Sequence, residues 1–231
     1  NGSLVVIIFL ILFQKINPRT RIIYIIGLTI LALYAPIMIS QVGTSLNDLT
    51  PSILILCALI VTIKSIQKGA NIPNKYIFLS GLLIGTSIGL KLTQAPYAIA
   101  YITAILFLPG NILERLKKGG CIVISLFLGV ILTSGWWMIY LWSNYGNPLF
   151  PFYNDIFHSP FILEKNWSDT RFIPKSIFEH FLAPFKLLYK NQLYDRQFEV
   201  SPGRDSRYAI IYILSIIGLI KYLWTRFQII R

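Results

Sequence analysis

Apolar runs alternate with short hydrophilic breaks along the whole chain. A run of about 17–25 apolar residues can cross a bilayer as a helix. Seven stretches are candidate spans: 2–14, 22–40, 52–66, 76–90, 95–108, 121–142 and 208–224. The first looks truncated. The fourth and fifth are short and are joined only by Lys91-Leu-Thr-Gln and then Pro96. A cation at the end of a helix with a proline close behind predicts a turn between two short helices rather than one bent element. Gly81, Gly85 and Gly89 are spaced four apart, which lets a neighbouring helix approach closely.

The breaks differ in charge, and this orders the spans. Lys15, Arg19 and Arg21 occupy the first break, Lys64, Lys68 and Lys75 the third, and Arg115, Lys117 and Lys118 the fifth. The second has no cation and the fourth only Lys91. Cytoplasmic loops collect Lys and Arg, so the alternation predicts a multi-pass membrane protein with the Asn1 end outside and the Arg231 end cytoplasmic. The expected fold is all-α, a transmembrane bundle of about seven helices. Its expected segments are 1–142 (six spans), 143–207 (an extracytoplasmic loop domain) and 208–231 (the last span and a basic cytoplasmic end).

Composition agrees with this reading. Charged residues are 13% and hydrophobic residues 55% of the chain, with a mean hydropathy of +0.64. A soluble domain carries about 25% charged residues. The net charge of +12 sits largely in the breaks read as cytoplasmic and at the C-terminal end, so it is read as an orientation signal and not as a nucleic-acid interface. Cys57 and Cys121 lie in apolar runs and read as small core residues. The chain opens at Asn1 without a charged leader or cleavage site, and reads as an internal stretch of a longer membrane protein.

Seven of the nine acidic residues lie in 143–207. Within it, Ser176-Ile-Phe-Glu179 is a capping box, followed by one apolar face of Ile177, Phe178, Phe181, Leu182, Phe185 and Leu188. This predicts an amphipathic helix, kinked by Pro184, on the outer membrane surface or on the tops of the spans.

Four places offer chemistry. Asp48 precedes a span and reads either as part of a helix cap with Asn47, Thr50 and Pro51, or as an outer-face carboxylate. Lys91 reads as a helix-ending, snorkelling cation or as a phosphate ligand. The stretch 145–160 sets Tyr145, Phe150 and Tyr153 among Asn147, Asn154, Asp155 and His158. It reads as an interfacial aromatic belt with a folded loop, or as a rim suited to a sugar. Asp169-Thr-Arg171 and Arg204-Asp-Ser-Arg207 read as surface ion pairs, or as guanidinium groups for a phosphate. His158 and His180 lack metal-ligand spacing, so no zinc site is expected. Motifs for nucleotide hydrolysis, dinucleotide binding and zinc proteolysis are missing.

Five motifs follow one another along the chain: Gly43-Thr-Ser-Leu-Asn-Asp-Leu49, Gly81-Leu-Leu-Ile-Gly-Thr-Ser-Ile-Gly-Leu-Lys-Leu-Thr93 and Tyr145-Gly-Asn-Pro-Leu-Phe-Pro-Phe-Tyr-Asn154, then Asp169-Thr-Arg-Phe-Ile-Pro-Lys175 and Arg204-Asp-Ser-Arg-Tyr-Ala209. Taken in this order they resemble bacterial polytopic glycosyltransferases of the GT-C class, the superfamily of protein-mannosyltransferase and aminoarabinose-transferase enzymes. The resemblance implies transfer of a sugar from a polyprenyl-phosphate carrier to a glycan, lipid or protein acceptor at the outer face of the inner membrane. It places the main catalytic carboxylate upstream of Asn1 and leaves Asp48 and Asp155 as candidates here. It gives Lys91 a carrier-phosphate role and leaves room for a divalent cation, while Arg171, Arg204 and Arg207 stay phosphate candidates on their guanidinium chemistry alone. Tyr145, Asn147, Phe150, Tyr153, Asn154 and His158 are the sugar or acceptor candidates. A polymerase or ligase of lipid-linked glycans and a membrane transporter are the rival readings; the transporter would call for ionisable groups in mid-span.

Overall fold

The computed structural model describes residues 1–33, 48–68, 72–107, 111–165, 174–189 and 206–230. Among these, every regular element is helical. Two compact units form: Asn1–Leu33 with Ser45–Trp167, and a second unit that includes Ser168–Arg231. The division falls inside the stretch 143–207 read from sequence as one loop domain.

The first unit holds α1 (Gly2–Leu12), α2 (Pro18–Leu33), α3 (Leu49–Lys68), α4 (Asn74–Leu90), α5 (Ala95–Leu106), α6 (Ile112–Tyr145) and the single turn α7 (Asn154–Phe157). Local chemistry sets several ends. Asn17 Oδ1 accepts the Arg19 N–H at 3.1 Å, with Pro18 opening α2. Asn111 Oδ1 accepts the Glu114 N–H at 2.8 Å and starts α6. Gly146 ends α6 in the left-handed region at φ 66°, where a side chain would be strained.

Contacts fix the direction of each helix. Asn1 Nδ2 donates to Leu49 O and Ser52 Oγ, both at 3.0 Å, while Gln67 Nε2 donates to Ile11 O at 2.7 Å. So α1 and α3 run parallel, and α2 returns antiparallel along α1, its Leu33 beside Gly2 and its Tyr24 ring 5.9 Å from Phe13. Ser87 Oγ donates to Pro51 O at 2.9 Å and Ser80 lies 3.1 Å from Thr62, so α4 is antiparallel to α3. The chain then reverses at Lys91, whose backbone is extended (φ −154°, ψ 111°), and passes a 3-10 turn, Leu92–Gln94, into α5. The expected hairpin is present. Its depth is set by Tyr101, whose hydroxyl bonds Thr62 Oγ1, joining α3 and α5 beside Ser80 of α4.

The most extensive contact is between α4 and α6, which run parallel. A Cβ at Gly81 would overlap Ser125, at Gly85 the Leu126 carbonyl, and at Gly89 Thr133. From the other side, a Cβ at Gly129 would lie 2.5 Å from Leu82 O and 2.6 Å from Thr86 N. The four-residue glycine spacing therefore does what the sequence suggested: it brings two backbones together. Ile77, Ile84, Ile105, Ile122 and Leu126 fill the core around this seam.

This alternation gathers Lys15, Arg19, Arg21, Lys64, Lys75, Arg115, Lys117 and Lys118 toward one end of the unit, and Asp48 and Lys91 at the other. Three helices among the described residues are long and apolar enough to cross a membrane: Leu49–Gln67, Ile112–Tyr145 and Arg207–Thr225. The other candidate spans are helices of 11, 16, 17 and 12 residues, α1, α2, α4 and α5, with the end of 22–40 outside the described residues.

The second unit holds α8 (Ile177–Tyr189) and α9 (Arg207–Ile230), which pack on each other, with the Phe185 and Tyr212 rings edge to face at 5.9 Å. The capping box forms. Ser176 Oγ accepts the Glu179 N–H at 3.2 Å, and Glu179 Oε2 reaches one residue further back than the usual box, to the Lys175 N–H at 2.8 Å. Ile177, Phe178 and Phe181 stay exposed within this unit.

Candidate functional site

Asp48 and Lys91 are 43 positions apart in sequence and form an ion pair, Lys91 Nζ donating to Asp48 Oδ1. Each charge stands where the adjoining helix favours it. Asp48 immediately precedes α3, and its carbonyl accepts the Ser52 N–H at 3.3 Å, so the carboxylate lies at the positive end of that helix. Lys91 follows the last residue of α4 and lies at its negative end. The Ser87–Pro51 bond clamps the two helix ends just below the pair. The side chains are 31% (Lys91) and 36% (Asp48) exposed, so an incoming anion or hydroxyl has access to them. Three residues on from Lys91, Gln94 is only 6% exposed, and its Oε1 has no hydrogen-bond partner among the described residues.

The depth of this pair follows from α6. Gly89 faces Thr133, and the apolar sequence of α6 continues from there to Trp142. Nine further residues at 1.5 Å each place Trp142 about 13 Å beyond the level of Gly89. Asp48 and Lys91 are therefore recessed below the apolar end of their longest neighbour. The pairing also makes the two groups interdependent. An anion that meets Lys91 therefore competes with Asp48 for the same ammonium.

A second cluster caps α6. The Tyr145 and Phe150 rings stack at 4.4 Å and 9°, and Phe161 meets Tyr145 edge-on at 5.6 Å. Two asparagines hold the loop and are themselves fully buried. Asn147 Nδ2 donates to Phe152 O at 2.9 Å, and its Oδ1 accepts the Leu149 N–H at 2.8 Å. Asn154 Nδ2 lies 3.1–3.2 Å from Ser159, Ile162 and Leu163 carbonyls, and its Oδ1 accepts the Ser159 N–H at 2.8 Å. Both amides, grouped on sequence with the sugar candidates, spend their hydrogen bonds on the loop. Tyr153 (φ 56°) and His158 (φ 51°) bracket α7 in the left-handed region, an uncommon conformation for such side chains. Asp155 is exposed, and His158 Nδ1 lies 3.6 Å from Glu164 Oε1.

Among the sequence candidates, the structure joins Asp48 to Lys91, and Tyr145 to Phe150. Arg171 and Arg204 lie outside the described residues, and Arg207 opens α9 in the second unit. No group of three metal-ligating side chains occurs among the described residues. Sequence reading passed over Gln94, Glu164 and the Thr62–Ser80–Tyr101 hydroxyl cluster. Only the last carried a signal, a hydroxyl in each of three successive apolar runs. Compared with known proteins, the chain matches no family model, no curated protein and no solved structure.

Proposed function

We propose that this chain is part of a multi-pass membrane glycosyltransferase of the GT-C class, moving a sugar from a polyprenyl-phosphate carrier to an acceptor at the extracytoplasmic face. The observation that carries this reading is the recessed Asp48–Lys91 pair at the end of the unit opposite the basic residues. A lysine on the side opposite the basic breaks runs against the positive-inside bias, and an ionisable group beside a span is a functional candidate by default. In this reading Lys91 stabilises the departing carrier phosphate, and Asp48 is its counter-ion at rest and a candidate base for the acceptor. Asp155, Tyr153 and His158, on the loop that follows α6, meet the sugar or acceptor. The basic end faces the cytoplasm, which completes the seven-span orientation with Asn1 outside.

The test is release of polyprenyl phosphate from polyprenyl-phosphate-linked sugars by the full-length protein in vesicles. The expected result is turnover with at least one such donor, reduced about 100-fold or more by Lys91→Ala, the scale seen on removing one charge-stabilising donor. No release from any donor, or full turnover in Lys91→Ala, overturns the reading.

A further inference from the structure

The loop after α6 has a second property, independent of the reaction. Its hydrogen-bonding groups turn inward and its large apolar groups turn outward. Asn147, Asn154 and Ser159 are buried, whereas Phe152, Ile156, Phe161 and Leu163 are exposed, Leu163 at 81%. Between Gly146 and Leu163 the only acidic or basic side chains are Asp155 and His158, and the exposed Glu164 and Lys165 follow directly. A loop standing in water ordinarily shows the opposite arrangement, and exposed apolar groups in a contiguous set mark an interaction surface.

The position of this surface identifies its partner. Phe157 packs edge-on against Trp142 at 6.1 Å, and Phe161 against Tyr145, so the loop folds back along the last turns of α6. Those turns expose Trp136, Ile139, Tyr140 and Trp142. Tryptophan and tyrosine concentrate at membrane–water boundaries, where an apolar ring with one polar atom is best solvated. The exposed face of the loop thus continues the exposed face of a helix long and apolar enough to cross a bilayer. The charge poverty of 146–163 suits the glycerol region of a lipid leaflet.

We infer that loop 146–165 rests in the lipid leaflet at the Lys91 end of the unit, with Phe152, Ile156, Phe161 and Leu163 in contact with lipid. Asn147 and Asn154 reach four carbonyls and two N–H groups of the loop, which lowers the cost of setting this irregular backbone at the lipid boundary, above the hydrocarbon where such backbone is not tolerated. Asp155, His158, Glu164 and Lys165 then lie at headgroup level.

Nitroxide labels test this in the full-length protein, reconstituted in phosphatidylcholine–phosphatidylglycerol vesicles after every native cysteine, Cys57 and Cys121 among them, is replaced by Ala. Single labels go on Ile156→Cys and Leu163→Cys, with Ile131→Cys in mid-α6 and Lys117→Cys at the basic end as references. Power saturation compares collision with oxygen, which partitions into lipid, and with a water-soluble nickel chelate. Both loop sites are expected to favour oxygen severalfold, as Ile131→Cys does, while Lys117→Cys favours nickel. Nickel-dominated relaxation at either loop site puts the loop in water and overturns the inference. Low collision with both reagents means that protein covers the face, and overturns it equally.

Discussion

The α4–α6 seam and the loop that caps α6 are both closely packed, by opposite means. The seam works by omission. Gly81, Gly85 and Gly89 remove side chains so that backbones meet, and no polar side chain need bridge the helices at Gly85 and Gly129. The loop works by addition, since two buried amides accept and donate the bonds that its irregular backbone cannot make internally. A helix satisfies its own backbone and needs only shape from its neighbour. A loop needs shape and hydrogen-bond partners together. Damage should therefore be steric in one region and polar in the other.

The largest expected effect is at the seam. Gly85→Leu places carbon on the Leu126 carbonyl, and backbone cannot yield as a side-chain tip can. Overpacking costs about 1–3 kcal/mol even where side chains can shift, so little folded protein is expected after detergent extraction and size-exclusion chromatography. Gly120→Ala, with nothing within 4 Å of its new methyl, should be neutral or slightly stabilising in the same assay. Asn154→Ala should come next. It leaves the buried Ser159 N–H without its acceptor and should cost about 1–3 kcal/mol, read as accelerated protease cleavage within 154–163 while the bundle stays intact. Asn111→Ala, which removes the cap of α6, should cost about 1 kcal/mol, measured by thermal unfolding. The smallest effect is the coupling of Asp48 to Lys91. The pair is about one-third exposed, so a double-mutant cycle of Asp48→Asn and Lys91→Met should give roughly 0.2–1 kcal/mol of stability. A coupling several times larger would show that the pair holds the bundle together, and would weaken its assignment as a binding site.

The two regions also differ in how readily sequence reveals them. Glycines four apart on a helix share a face whatever the neighbour is, so the seam was readable without knowing that α6 fills it. The reversal at Lys91 was readable because a following proline disfavours a continuous helix. The direction of each helix in the first unit follows the alternation of basic breaks, since each break is one reversal. The Asp48–Lys91 pair was not readable: its partners are 43 residues apart and each alone has an adequate local explanation at a helix end. Asn147 and Asn154 were ambiguous for a related reason. An asparagine among aromatic residues suits a sugar hydroxyl and a loop carbonyl equally well, and only burial separates the two. Nothing in the sequence gives the left-handed backbone at Tyr153 and His158, which the closure of the loop imposes.

The parallel pairing of α4 with α6 has a consequence in time. Gly85 and Leu126, which meet in the finished protein, are 41 residues apart in synthesis. At about 5–20 residues per second the ribosome takes roughly 2–8 s to cover that interval. Throughout it α4 exists with a bare groove along one side, and α5 has to be made and turned back without occupying it. A newly made α4 is therefore exposed to capture by any other small-faced helix nearby, and the prompt emergence of α6 is part of what makes the correct pairing the one that forms.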